Sequence, residues 1–122
     1  MARCVLVVDD SASVRLAERV VLTGAGYEVL EAVDGQDALA KLAARPVQLV
    51  LTDLNMPNLD GVGLIRAVRT DPAHRLTPVV MVTTESEQAR KLEGKAAGAT
   101  GWIVKPFTPE QLLAVAARLL GA

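Results

Sequence analysis

The stretch Leu49-Val50-Leu51-Thr52-Asp53-Leu54-Asn55-Met56-Pro57-Asn58-Leu59-Asp60-Gly61 decides how the rest of the chain is read. A short apolar run ends abruptly on a carboxylate, and turn-forming residues follow at once. Apolar runs of this length, bounded by turn signals, read as buried strands. Asp53 therefore falls at or near the C-terminal end of an interior strand. In open parallel sheets that edge is where ligands bind. A lone carboxylate there needs a cation, donors or water, because leaving it unpaired is costly.

Working outward, the same pattern recurs. Cys4-Val5-Leu6-Val7-Val8 runs straight into Asp9-Asp10. Val79-Val80-Met81-Val82 ends on Thr83-Thr84, and Trp102-Ile103-Val104 ends on Lys105. Three carboxylates, a hydroxyl and an ammonium thus stand at the ends of four apolar runs. If those strands are parallel and adjacent, all five groups converge on one edge.

Between the runs lie helical segments. Ser11 can cap a helix with Val14, Ala17, Val20 and Val21 on one face, stopped by Thr23-Gly24-Ala25-Gly26. Tyr27-Glu28-Val29-Leu30-Glu31 alternates as an edge strand does. Asp34-Gly35 opens a helix to about Ala44 with Leu39 and Leu42 inward, and Pro46 ends it. Val62–Thr70 is helical, with Leu64, Ile65 and Val68 apolar. Thr84-Glu85-Ser86-Glu87 and Thr108-Pro109-Glu110-Gln111 both have the capping-box form. The first starts a helix to about Ala97, weakened by Gly94. The second starts a helix to Leu120 with Leu112, Ala116 and Leu119 inward. Five βα units in strict alternation imply a parallel α/β sheet with five helices on its two faces.

Composition narrows the function classes. The 122 residues fit one domain, 1–122, which can bury a core without staples. Hydrophobic residues make up 51% and aromatics 2%, so the core must be aliphatic. Thirteen basic and fourteen acidic residues give a formal charge of −1, which argues against a nucleic-acid module. Cys4 is the single cysteine and reads as a small buried hydrophobe. That usage suits the cytosol. No apolar run reaches transmembrane length, and residues 4–8 are too short for a signal-peptide core. The expectation is a cytoplasmic monomer that contacts neither membrane nor nucleic acid.

Adjacent carboxylates at Asp9 and Asp10, with Asp53 nearby, cannot all ionise cheaply without compensation. A hard divalent cation is the natural solution. Mg2+ takes oxygen ligands and keeps several waters, so two carboxylates and a backbone carbonyl suffice. One His and one Cys, far apart, make no convincing zinc set. A carboxylate flanked by metal, the Thr83 hydroxyl and the Lys105 ammonium suits attack on phosphorus, because those groups neutralise the phosphoryl oxygens.

Asp9-Asp10, Asp53 with Met56-Pro57 and Gly61, Thr83, and Lys105-Pro106 stand in the order and spacing of response regulator receiver domains. The chain resembles that family over essentially its whole length, and within it the single-domain chemotaxis, or CheY, type. The resemblance implies the flavodoxin-like strand order 2-1-3-4-5. It implies that Asp53 accepts phosphate from the phosphohistidine of a histidine kinase. Asp9, Asp10 and Asp53, with the Asn55 backbone carbonyl, would bind Mg2+ directly or through water. Thr83 and Lys105 would contact the phosphoryl group, and Lys105–Pro106 would be a cis peptide. Asn55 and Glu85 match positions that tune acyl-phosphate hydrolysis. Thr84 is bulkier than the Ala common there, which implies slower access of donors and water. Trp102 holds a switch position more often filled by Tyr or Phe. Arg90, Lys91 and Lys95 read either as a solvated helix face with Glu87 and Glu93 or, with Trp102 and the last helix, as the partner surface.

The function implied is a phosphorylation-controlled binding module that reports to the flagellar motor switch, with a phosphatase as a possible further partner. Within the family, a phosphate sink or a module for another effector remains open. Outside it stands a Mg2+-dependent phosphatase of the haloacid-dehalogenase type. That reading wants Asp two residues after the nucleophile, where this chain has Asn55. A flavodoxin-like FMN binder shares the topology, but Asp9-Asp10 would repel the cofactor's phosphate. His74 lies in a polar loop and reads as a solvated residue.

Overall fold

The computed structural model describes residues 3–84 and 88–121. Its elements follow one another as β1 (Cys4–Val8), α1 (Ala12–Gly24), β2 (Glu28–Ala32), α2 (Gly35–Ala44), β3 (Leu49–Asp53), α3 (Gly61–Thr70), β4 (Val79–Thr83), α4 (Gln88–Ala97), β5 (Gly101–Val104) and α5 (Pro109–Leu120). The sheet has the order β2-β1-β3-β4-β5, and every pairing is parallel. This is the architecture the alternation and the resemblance imply.

Burial follows from position in the sheet. All residues of β1, β3 and β4 are buried, as strands covered on both faces require. The outer strands β2 and β5 are only partly covered. Alternate residues feed two separate cores. Leu6, Val8, Val50 and Met81 pack with Leu42, Leu64, Ile65 and Val68 on one face. Val5, Val7, Leu51 and Val82 pack with Leu22, Leu112, Ala116 and Leu120 on the other.

The helix starts are set by side-chain caps. Ser11, Asp34, Asp60 and Thr108 accept hydrogen bonds from Val14, Asp37, Gly63 and Gln111 respectively. Thr108 and Gln111 complete a capping box, with Pro109 in the first turn. The other capping-box segment, residues 85–87, lies outside the described residues.

Three expectations are corrected. The inward face of α1 is only in part the Val14, Ala17, Val20, Val21 set: Val14 and Val21 are half-buried, with Val21 against the core, whereas Ala17 is exposed, Val20 is 62% exposed, and the fully buried residues are Glu18 and Leu22. Val14, Glu18 and Leu22 share one stripe at i, i+4 spacing, and the carboxylate hid it from a hydrophobic reading. In α5 the third inward residue is Leu120, with Leu119 only partly covered. His74 is not solvated; its side chain is 15% exposed, and Nδ1 stands 2.8 Å from Asp71 Oδ2.

Gly94 has a packing reason. A Cβ there would collide with the Met81 sulfur, so the glycine lets α4 lie directly on β4.

Candidate functional site

Parallel register carries four strand ends to one edge. Val8 pairs with Thr52, Asp53 with Val82, and Thr83 with Val104, so Asp9, Asp53, Thr83 and Lys105 emerge side by side. Carboxylate oxygens of Asp9, Asp10 and Asp53 all lie within 4.8 Å of one another. Asp9 and Asp53 are buried, whereas Asp10 is exposed.

The two buried carboxylates are held by their surroundings. Asp9 Oδ1 accepts from the Ser11 amide at 2.9 Å, and Oδ2 accepts from Lys105 Nζ at 3.1 Å. Arg15 donates to the Asp9 carbonyl at 2.7 Å. Asp53 Oδ1 accepts from the Leu54 amide at 2.8 Å and lies 3.5 Å from Lys105 Nζ. Gly61 lets the β3–α3 loop close tightly, since a Cβ there would collide with the Asp53 carbonyl. The Lys105–Pro106 peptide is cis.

Burial alone would lower the proton affinity of Lys105. The hydrogen bond to Asp9 and the charge of Asp53 outweigh it and raise the ammonium above its ordinary range. One cation thus serves two carboxylates, and Asp10 makes a third. Three oxygen-donor side chains of this kind can hold a hard divalent cation, and they fit Mg2+ better than any softer metal. The Thr83 hydroxyl, fully buried, makes no hydrogen bond. Its unused donor capacity suits an oxygen-rich ligand at the strand ends.

The β3–α3 loop is gripped from both sides. Asn58, at φ 69°, donates to Asp34 Oδ2 at 2.7 Å, and Gly35 donates to the Leu59 carbonyl at 2.9 Å. On the other side Arg90 donates to Asn55 Oδ1 at 2.7 Å and to Asp60 Oδ2 at 2.8 Å. Arg90 therefore departs from the solvated-face reading of the α4 charges, because two acceptors on the loop draw its guanidinium inward. Lys91 Nζ lies 5.5 Å from the Trp102 ring centroid, and Trp102 is 48% exposed. Lys95 is exposed. Thr84 lines an open groove of about 420 Å³ with Lys105, Pro106 and Phe107. Glu85 lies outside the described residues.

Glu18 is the residue that sequence reasoning missed. It is 1% exposed, its Oε2 makes no hydrogen bond, and it lies in the field of Asp9, Asp53 and Glu31. Burial first, then Asp9, pushes its carboxyl up to about 8, so it is largely neutral at pH 7. The missing signal was positional: Glu18 continues the line from Val14 to Leu22.

A doubly wound parallel sheet with an acidic pocket and a fixed lysine at its carboxyl edge defines the class. The response regulator receiver domain model matches residues 5–117, and the chain belongs to that family. It is 42% identical over 109 residues to chemotaxis protein CheY1 of Helicobacter pylori, covering 88% of each. The chemotaxis response regulator CheY4 of Vibrio cholerae has a closely similar structure, with TM-score 0.91 and 45% identity over 98% of this chain and 99% of that one. The transcriptional regulatory protein ResD of Bacillus subtilis is 38% identical over 109 residues, which are 89% of this chain and 44% of ResD. Among the described residues, no helix is long and apolar enough to cross a membrane.

Proposed function

We propose that the chain is a phosphoacceptor switch of two-component signalling, phosphorylated on Asp53. The observation that carries this reading is the Asp53 carboxylate at the end of β3, clustered with Asp9 and Asp10 and 3.5 Å from Lys105 Nζ. Such a carboxylate is a nucleophile whose product, an acyl phosphate, gains charge that Lys105 and Thr83 are placed to neutralise.

The donor is the phosphohistidine of a histidine kinase. An Asp53 oxygen forms a bond to phosphorus as the phosphorus–nitrogen bond breaks. The electron pair stays on the imidazole nitrogen, which takes a proton. Asp9, Asp10 and Asp53 with the Asn55 carbonyl would hold Mg2+, which supplies charge neutralisation for the transferring group. Lys105 exchanges its bond to Asp9 for one to the phosphoryl group, and Thr83 donates its hydroxyl. Water later cleaves the acyl phosphate, with Asn55, Thr84 and Glu85 setting its access, which leaves a binding switch rather than a turnover enzyme.

Similarity to two chemotaxis regulators favours output to the flagellar motor switch through Trp102, Lys91 and Lys95, in the cytoplasm. Mg2+-dependent labelling by radioactive acetyl phosphate tests the acceptor. The wild type takes up acid-labile phosphate in a one-to-one ratio, and Asp53→Asn takes up at most a trace. Full labelling of Asp53→Asn would sink the assignment. Phosphorylation-dependent capture of a motor switch protein tests the output.

A further inference from the structure

Arg90 joins two regions that no strand connects. Its two terminal nitrogens donate to Asn55 Oδ1 at 2.7 Å and Asp60 Oδ2 at 2.8 Å, while Nε lies 3.3 Å from Glu93 Oε2. Those two acceptors lie near opposite ends of the loop that leaves Asp53. Asp60 is itself fixed, because its other oxygen accepts from the Gly63 amide at 2.8 Å and caps α3. Asn55 is exposed and stands two residues from Asp53. The next residue of α4, Lys91, rests over the Trp102 indole at 5.5 Å. Gly94 seats the same helix on Met81 of β4.

Charge-assisted hydrogen bonds of this kind are short and strong, so the loop and the first turns of α4 move together or the bonds break. A change at Asn55 is therefore felt at residue 90, and a change in residues 90 and 91 is felt by the indole. Coupling between sites requires an element with two arrangements that both sites bias. The structure shows one arrangement, the guanidinium bridged to Asn55 and Asp60 together; the second would keep the bond to Asp60 and give up the one to Asn55.

We propose that Arg90 is a positioning residue that couples occupancy of the Asp53 pocket to the Trp102 face, through its clasp on Asn55 and the contact of Lys91 with the indole. The proposal rests on the phosphoacceptor reading, since occupancy is what draws on Asn55.

The test uses the whole chain with Mg2+ and beryllofluoride, a mimic of the acyl phosphate. Fluorine NMR reports occupancy, and the emission of Trp102, the only tryptophan, reports the face. In the wild type, bound fluoride accompanies a blue shift and reduced acrylamide quenching. Arg90→Ala should bind beryllofluoride yet lose most of the emission change. Arg90→Lys keeps a cation but cannot span both acceptors, and should give an intermediate change. Should Arg90→Ala fail to fold by circular dichroism, Arg90→Lys decides alone. A wild-type emission response in the fully occupied variants would overturn the coupling. So would a silent Trp102 in the occupied wild type, or loss of beryllofluoride binding in both variants. Absence of bound fluoride in the wild type would instead overturn the phosphoacceptor reading, and the coupling with it.

Discussion

Lys105 and Asp9, 96 positions apart in the chain, form an ion pair at 3.1 Å in which the carboxylate side chain is 2% exposed and the lysine 20%. The same ammonium lies 3.5 Å from Asp53. A single cation therefore compensates two buried carboxylates, and its removal has a readable cost.

Lys105→Ala should destabilise the metal-free protein by about 1–3 kcal/mol, below the full cost of breaking a buried pair because the ammonium is partly solvated. Added Mg2+ should recover part of the loss. Phosphorylation should persist, but affinity for the effector should no longer rise with it. Urea melts with and without Mg2+ read the first effect, and partner binding by the phosphorylated variant reads the second. Unchanged stability in EDTA would contradict the bridging role.

Asp10→Ala should do the opposite to the metal-free protein. Asp10 adds a third negative charge beside Asp9 and Asp53, so its removal lessens repulsion. The variant should unfold at higher urea in EDTA and bind Mg2+ more weakly. A less stable variant in EDTA would argue against crowded like charges at this edge.

Glu18 gives the protein a pH dependence. Its carboxyl is raised from 4.5 to about 8 in the fold, so between those limits the folded state holds a proton that the unfolded chain has lost. Stability from this group is therefore complete below about pH 4.5, falls as pH rises and is lost by pH 8. At ~1.4 kcal/mol per tenfold change in proton affinity the full loss is on the order of a few kcal/mol. Asp9, Asp53 and Glu31 oppose ionisation and Lys105 favours it. Glu18→Gln should flatten the dependence and exceed the wild type in melting temperature at pH 9 in EDTA. Parallel melting-temperature profiles for the two proteins across this range would show that Glu18 is not the titrating group.

Gly94→Ala separates packing from helix propensity. Propensity alone predicts a gain of about 1 kcal/mol in a helix interior. The Met81 sulfur occupies the space of the new Cβ, and overpacking costs about 1–3 kcal/mol. The variant should therefore be neutral to less stable in chemical denaturation. A clear gain would show that Met81 yields freely.

Local pattern along the chain carries the order of elements, the parallel sheet and the five groups at its edge. Those follow from local patterns: apolar runs of strand length, capping residues before the helices, and polar residues at the strand ends. Asp9, Asp53, Thr83 and Lys105 were legible because each terminates such a run. Contacts between distant residues supply what periodicity could not see. Glu18 lies inward because the sheet, not the distribution of valines, chooses the buried face of α1. Gly94 reads as a helix weakness until Met81 stands above it. Arg90 reads as a surface cation until folding brings Asn55 and Asp60 to it from 35 and 30 positions away. Pattern records the preference of a residue for water or core, whereas these roles depend on a partner distant in the chain, which only the closed sheet brings within reach.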